Sequence, residues 1–123
     1  MSPRASSATA HELQRVGLLA SLSGETLARL GQRMHREDVA LGAGVVAEGE
    51  TGARFYVVLS GILAVSQASL GARRLLRPGD YFGEVALAMD VPRTASVHAL
   101  TPAVVASCDR ETFDEFIRPL FAD

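Results

Sequence analysis

Tyr81-Phe82-Gly83-Glu84-Val85-Ala86-Leu87-Ala88-Met89-Asp90-Val91-Pro92-Arg93-Thr94-Ala95-Ser96-Val97 sets a glycine and a carboxylate ahead of a short apolar turn. It then brings a proline, an arginine and a small hydroxyl residue back before a strand begins. These side chains are the equipment of a sugar-phosphate pocket. The Glu84 carboxylate can accept ribose hydroxyl protons, and the Arg93 fork can make two charge-assisted bonds to a phosphate. Lysine would not reproduce that planar geometry, and Pro92 restricts the loop that presents it. Val85 to Met89 reads as a short helix whose side chains pack inward and whose first N–H groups, on Val85 and Ala86, have no partners inside the helix. Pointed at the pocket they would complete an anion site. Gly83 leaves the backbone open to close approach of a ligand.

The surrounding chain divides into helical and strand-forming stretches. Thr9 and Glu12 have the spacing of a capping box, with Leu13, Val16, Gly17 and Ala20 on one face behind it, which predicts a first helix ending near Leu19 or Ala20. Ser23 can cap a second helix that carries Leu27, Leu30 and Met34. From Val39 the pattern changes to brief β-branched or alternating runs between glycines, which argues for an antiparallel sandwich or barrel. Strands are expected around Met34 to Val39, Val45 to Ala47, Arg54 to Leu59, Ile62 to Gln67, Arg73 to Arg77, Ser96 to Leu100 and Val104 to Cys108. Asp109 can cap a last helix with Phe113, Phe116, Ile117 and Leu120 on one face, which Pro119 should end or kink near Arg118.

Phe82-Gly83-Glu84-Val85-Ala86-Leu87 followed by Pro92-Arg93-Thr94-Ala95 resembles the phosphate-binding cassette of cyclic nucleotide-binding domains, the sensor modules of catabolite activators and protein kinase A regulatory subunits. Three further signatures fall in the family's order. They are Glu48-Gly49-Glu50-Thr51-Gly52 before Arg54-Phe55-Tyr56-Val57-Val58, then Ser60-Gly61, then Arg77-Pro78-Gly79-Asp80-Tyr81-Phe82. Each is a weak turn signal alone, and together they extend the resemblance from about Leu13 to Phe121. It implies a mainly β fold: an antiparallel jelly-roll-like β-roll of about eight strands with N-terminal helices and a C-terminal hinge helix. It also implies a flexible leader over residues 1 to 8 and one binding domain over residues 9 to 123.

The ligand so implied is cAMP or cGMP, with no other cofactor. Phe82, Gly83, Glu84, Val85, Ala86, Arg93, Thr94 and Ala95 form the site. Glu84 would take the 2′-hydroxyl and Arg93 the exocyclic phosphate oxygens, and in an empty pocket the two can pair. The Thr94 hydroxyl can bond a phosphate oxygen or the amino group of a syn guanine, yet family members with threonine here also respond to cAMP, so cAMP is favoured. Binding would draw the cassette inward and release the last helix toward a fused or associated effector domain. The Ala88-Met89-Asp90-Val91 loop lacks a glycine often seen between the cassette halves. Family members usually continue into a helix that closes over the base, whereas this sequence stops at Asp123. A longer parent protein or another segment would supply that lid, or the base stays exposed. The rival reading keeps the fold without the ligand, as a structural or interaction domain.

Composition narrows the other classes. At 123 residues the chain has the size of one domain, with no length for a DNA-binding module beyond the pocket. A net charge of -2 gives no general attraction to nucleic acid. No apolar run approaches the roughly 18 residues that cross a bilayer, and Met1 to Ala10 has no secretory apolar core. Cys108, the only cysteine, reads as a buried strand thiol. A cytoplasmic setting follows, including that of a cytosolic module of a membrane protein. A jelly-roll metal enzyme would need clustered histidines and carboxylates. His11 and His35 fall on the expected helices or their edge, where the strand expected from Met34 begins, and only His98 falls well within a strand. No enzyme activity is expected.

Overall fold

Thr9 and Glu12 close the capping box that their spacing predicts. The Thr9 hydroxyl accepts from the Glu12 N–H and Glu12 Oε1 from the Thr9 N–H, both at 3.1 Å. In this computed structural model, which describes residues 7–52, 54–68 and 73–121, the helix they start is α1 (Ala10–Gln14). It stops short of Leu19. Val16 turns extended and the chain re-enters a 3-10 turn at Gly17–Leu19. A β-branched residue followed by glycine is poor helix material, and the break lets Leu13, Val16 and Leu19 all reach one core, where each is fully buried. Ser23 caps α2 (Gly24–Gln32), its Oγ accepting from the Thr26 N–H at 3.1 Å.

The last two residues of the expected leader, Ser7 and Ala8, meet the start of β1. Ser7 bridges His35, and the buried Ala8 donates its N–H to the Met34 carbonyl at 3.3 Å. The rest of that leader, residues 1–6, lies outside the described residues.

Among the described residues eight antiparallel strands follow: β1 (His35–Val39), β2 (Gly44–Val46), β3 (Arg54–Ser60), β4 (Leu63–Ser66), β5 (Arg73–Leu76), β6 (Tyr81–Phe82), β7 (Ser96–Ala99) and β8 (Ala103–Asp109). They form two four-stranded sheets, ordered β1-β8-β3-β6 and β2-β7-β4-β5. The expected β-roll is therefore present. His35 opens a strand and does not end a helix. The sequence pattern missed β6, because two residues have no period to read. It exists because Tyr56 and Val57 of β3 pair with Phe82 and Tyr81.

β3 explains how the layers stack. Phe55 and Val57 face a core shared with α1, α2 and the C-terminal helical segment, while Tyr56 and Val58 face a second core between the sheets. Successive side chains point to opposite faces, so a strand buried on both faces belongs in the middle layer. Cys108 joins the helix-side core, and burial pushes its thiol up to about 12, leaving it an inert apolar filler at neutral pH.

The last helix differs from the expectation built on Pro119. Asp109 caps it, its Oδ1 accepting from the Thr112 N–H at 2.9 Å. It runs as α4 (Arg110–Thr112), a π turn (Phe113–Ile117) and α5 (Arg118–Phe121). Pro119 thus neither ends nor follows the helix. The wide turn before it, in which the Arg118 N–H bonds the Phe113 carbonyl, shifts the carbonyls the proline ring would otherwise strike. Among the described residues no helix is long and apolar enough to cross a membrane.

Candidate functional site

Gly83 turns the chain from β6 into α3 (Glu84–Met89) at φ +94, a conformation that costs glycine nothing. A Cβ there would lie 2.8 Å from Arg93 Nη1 and 2.9 Å from the Arg54 carbonyl oxygen. The groups that need the open glycine are therefore the Arg93 guanidinium and the Arg54 carbonyl.

Arg93 is held from both ends. Its N–H donates to the Glu50 carbonyl at 2.7 Å, its carbonyl accepts from the Gly49 N–H at 2.8 Å, and Pro92 beside it bridges Thr51. The Glu48 to Gly52 turn is the strap that fixes the arginine loop, a role its sequence did not reveal. Gly52 completes it, since a Cβ there would lie 2.3 Å from the Ala86 Cβ and 3.4 Å from Arg93 Cζ. The side chain is only 7% exposed. Nη2 donates to the Arg54 carbonyl at 2.9 Å and Nη1 to the Gly83 carbonyl at 3.4 Å, and Cζ lies 5.8 Å from the centre of the Tyr56 ring. Tyr56 stacks on Phe82 with centroids 4.8 Å apart. Burial lowers the Arg93 pKa, against the pull of Tyr56, Glu50 and Glu84, but an arginine remains charged through such a shift.

Glu84 opens α3. Its Oε2 is buried and has no hydrogen-bond partner. Burial raises its pKa above the ordinary carboxylate value, opposed by its own backbone N–H and by the charges of Arg74 and Arg93. The pairing of Glu84 with Arg93 expected for an empty pocket does not form: no ion pair joins them. The site thus holds a buried cation satisfied by carbonyls and, nearby, a carboxylate oxygen satisfied by nothing.

Both groups open on one cavity of about 150 Å³. Phe82, Gly83, Glu84, Val85, Ala86, Arg93, Thr94 and Ala95 all line it, so every residue placed in the site from sequence lies on its wall. Val46, Val65, Arg74 and Val97 line it too and escaped the sequence reading. They come from four different strands, and only pairing register brings them together. Another cavity, of about 200 Å³ between α1 and the Pro78-Gly79 turn, contains none of these groups. No group of three or more histidine, cysteine or carboxylate side chains among the described residues could hold a metal ion.

The cassette is tied to the last helix. Leu87 is fully buried in the core that contains Phe113 and Ile117, and its carbonyl accepts from Arg110 Nη1 at 3.0 Å and Arg118 Nη2 at 3.4 Å. Asp90 pairs with Arg110 at 3.3 Å and has φ 53, a left-handed conformation. The missing cassette glycine is thus replaced by a residue type that tolerates this region. Asp90→Gly is expected to be more stable than Asp90→Ala by about 1 kcal/mol, read from urea midpoints, because both lose the exposed ion pair and only alanine keeps the backbone cost.

A family model described as "Cyclic nucleotide-binding domain" matches residues 36–119. The chain is 39% identical over 87% of its length to a cAMP-dependent protein kinase regulatory subunit of Debaryomyces hansenii, of which it covers 24%. It is 34% identical over 88% of its length to the cGMP-dependent protein kinase egl-4 of Caenorhabditis briggsae, of which it covers 15%. It therefore spans about a quarter or less of these relatives. Among solved structures, the regulatory domain of Toxoplasma gondii PKA with cAMP superposes with a TM-score of 0.83 at 27% identity, covering 90% of this chain and 44% of that one. A match across well over half of the sequence is more than a shared loop: the chain belongs to the cyclic nucleotide-binding domain family.

Proposed function

We propose that the chain binds a cyclic purine mononucleotide, cAMP in preference to cGMP, and serves as the regulatory sensor module of a larger protein. The observation that carries this reading is the pair of mismatched charges on one cavity wall: Arg93 buried without a carboxylate bonded to it, and Glu84 with one buried oxygen, Oε2, that no donor reaches. A cyclic nucleotide supplies both missing partners. Its phosphate oxygens replace the backbone carbonyls as acceptors for the Arg93 fork. Its 2′-hydroxyl donates to Glu84, and the first N–H groups of α3 face the same phosphate. The names of the relatives, regulatory subunits of cAMP-dependent kinases, support cAMP as the preferred base.

Signal would leave through Leu87. A shift of α3 toward the ligand moves the carbonyl shared by Arg110 and Arg118, and with it the π turn that already departs from α-helical geometry. The module would act on a fused or associated effector, without catalysis, nucleic acid binding or a cofactor of its own, in the cytoplasm. A second reading, a structural domain with no ligand, draws on the fact that Arg93 already has two carbonyl acceptors and an aromatic face.

Thermal unfolding separates the two. A ligand that binds only the folded state stabilises it by about 2.7 kcal/mol at a hundredfold excess over Kd, so the midpoint is expected to climb steadily with added cAMP. A midpoint that stays fixed at millimolar cAMP would overturn the sensor reading.

A further inference from the structure

Three backbone groups fix the loop that carries Arg93. The Arg93 N–H and carbonyl are bonded to Glu50 and Gly49 at 2.7 and 2.8 Å, and the carbonyl of the next residue, Thr94, accepts from Gln67 Nε2 at 2.8 Å. The first two bonds run from backbone to backbone. The third is made by a half-buried side chain just past the end of β4, 27 residues away. Gln67 follows Val65 by two positions, the spacing that keeps side chains on one face of an extended chain, and Val65 lines the cavity. Glu48 secures the backbone beside it: its Oε1 accepts from the Ala68 N–H at 3.0 Å, while its own N–H donates to Ser96 Oγ at 2.9 Å. The β2–β3 turn, the end of β4 and the Arg93 loop are thus stitched together by Gln67, Glu48 and Ser96, none of which lines the cavity.

We propose that Gln67 is a positioning residue for nucleotide binding, holding the Thr94 carbonyl so that the Arg93 fork meets the phosphate already aimed. The two backbone bonds grip the loop at Arg93 alone, and a segment held at one residue can still pivot there. On the other side, the pairing of β7 with β4 starts only at Ser96, opposite Ser66. Thr94 and Ala95 lie between these anchors without a strand partner, and the Gln67 carboxamide supplies the bond that a longer ladder would have made. Two bonds from a planar fork require the loop to be fixed in angle as well as in place. Any freedom left in it must be removed when the ligand binds, which weakens affinity. The phosphate is common to cAMP and cGMP, so Gln67 governs how tightly either is held and not which is preferred.

The inference rests on the sensor reading, and its test keeps the two apart. Calorimetric titrations with cAMP and with cGMP compare the wild-type chain with Gln67→Ala and with Gln67→Met, which keeps the length of the side chain and removes its donor. Gln67 belongs to neither core, so both variants fold. Both are expected to lose about three- to tenfold in affinity, the worth of one hydrogen bond, by the same factor for each nucleotide that the wild-type chain takes. In Arg93→Lys, whose flexible ammonium has no fork to aim, adding Gln67→Met is expected to cost less than about twofold, because the two residues act through one contact. Wild-type affinity in Gln67→Met, a loss confined to one of two nucleotides taken, or an undiminished loss in the Arg93→Lys background would each overturn the role of Gln67 while leaving the sensor function standing. A wild-type chain that binds neither nucleotide removes the sensor function and this role with it.

Discussion

Arg93→Ala is expected to weaken cAMP binding on the order of a hundredfold. A hydrogen bond to a charged group contributes about 1.5–3 kcal/mol, every 1.4 kcal/mol is a factor of ten, and the fork can make two such bonds. Burial magnifies the effect, because a phosphate brought to this wall without the guanidinium gives up water and gains no opposite charge. Arg93→Lys is expected to recover only part of the loss. A single ammonium cannot span two phosphate oxygens as the fork does, nor stack on Tyr56 as the planar group does at 5.8 Å. The variant will also unfold at lower denaturant, since removal of the side chain leaves Arg54 and Gly83 carbonyls without their donor. Calorimetry on the folded fraction separates the two consequences. Binding by Arg93→Ala within threefold of wild type would show that the phosphate is held elsewhere.

Glu84→Gln is expected to move affinity and stability in opposite directions. Binding falls roughly tenfold to a hundredfold, because a neutral amide oxygen is a weaker acceptor for the 2′-hydroxyl than a carboxylate, whose bonds are worth about 1.5–3 kcal/mol. Stability without ligand rises at neutral pH, because the substitution removes a half-buried charge with an unpartnered oxygen. The pH dependence gives a second check. Burial raises the Glu84 pKa in the folded state, so between the ordinary carboxylate value and the raised one the folded chain holds more of this proton than the unfolded chain. Glu84 therefore makes stability fall as pH rises through that window, and its destabilising charge is fully present above it. Ligand binding favours the ionised form, so affinity for cAMP is expected to weaken as pH falls through the same window. Both slopes should be absent in Glu84→Gln, measured by urea unfolding and calorimetry at a series of pH values.

The contrast between Glu84 and Arg74 shows why some of the site was legible and some was not. Glu84, Arg93 and their neighbours fall within a dozen residues, where a tight turn and a short helix impose their own spacing. Their chemistry can be read before any fold is known. Arg74 is the second of two arginines in a short strand, with nothing local to distinguish it from a solvated charge. Its place opposite Val65 depends on β4 pairing with β5 in one register, and a slip of one residue would turn it to the other face. β6 was hidden for a similar reason, its two residues being a strand only because β3 offers them an edge.

The helical parts divide along the same line. Thr9, Ser23 and Asp109 cap helices where their local donors and acceptors dictate. Yet α1 breaks before Gly17, which lets Leu13, Val16 and Leu19 reach a shared core that includes Phe55 and Val57, and the last helix continues through Pro119 behind a π turn that carries the buried Phe113, Phe116 and Ile117. The expected ion pair across the pocket failed on the same ground. Opposite charges near in sequence were read as partners, while packing gave Arg93 to the Arg54 and Gly83 carbonyls and left Glu84 Oε2 without a donor. The sequence by itself determined the helix caps, the glycine turns and a run of short strands that argues for an antiparallel sandwich or barrel, since those follow from conformational preferences over a few residues, while the cassette and the β-roll were read from the resemblance to a family. Only the tertiary structure decided which strands line the cavity beside the cassette, what holds Arg93 and how Leu87 reaches the last helix. Those depend on contacts between residues tens of positions apart, whose geometry no local preference specifies.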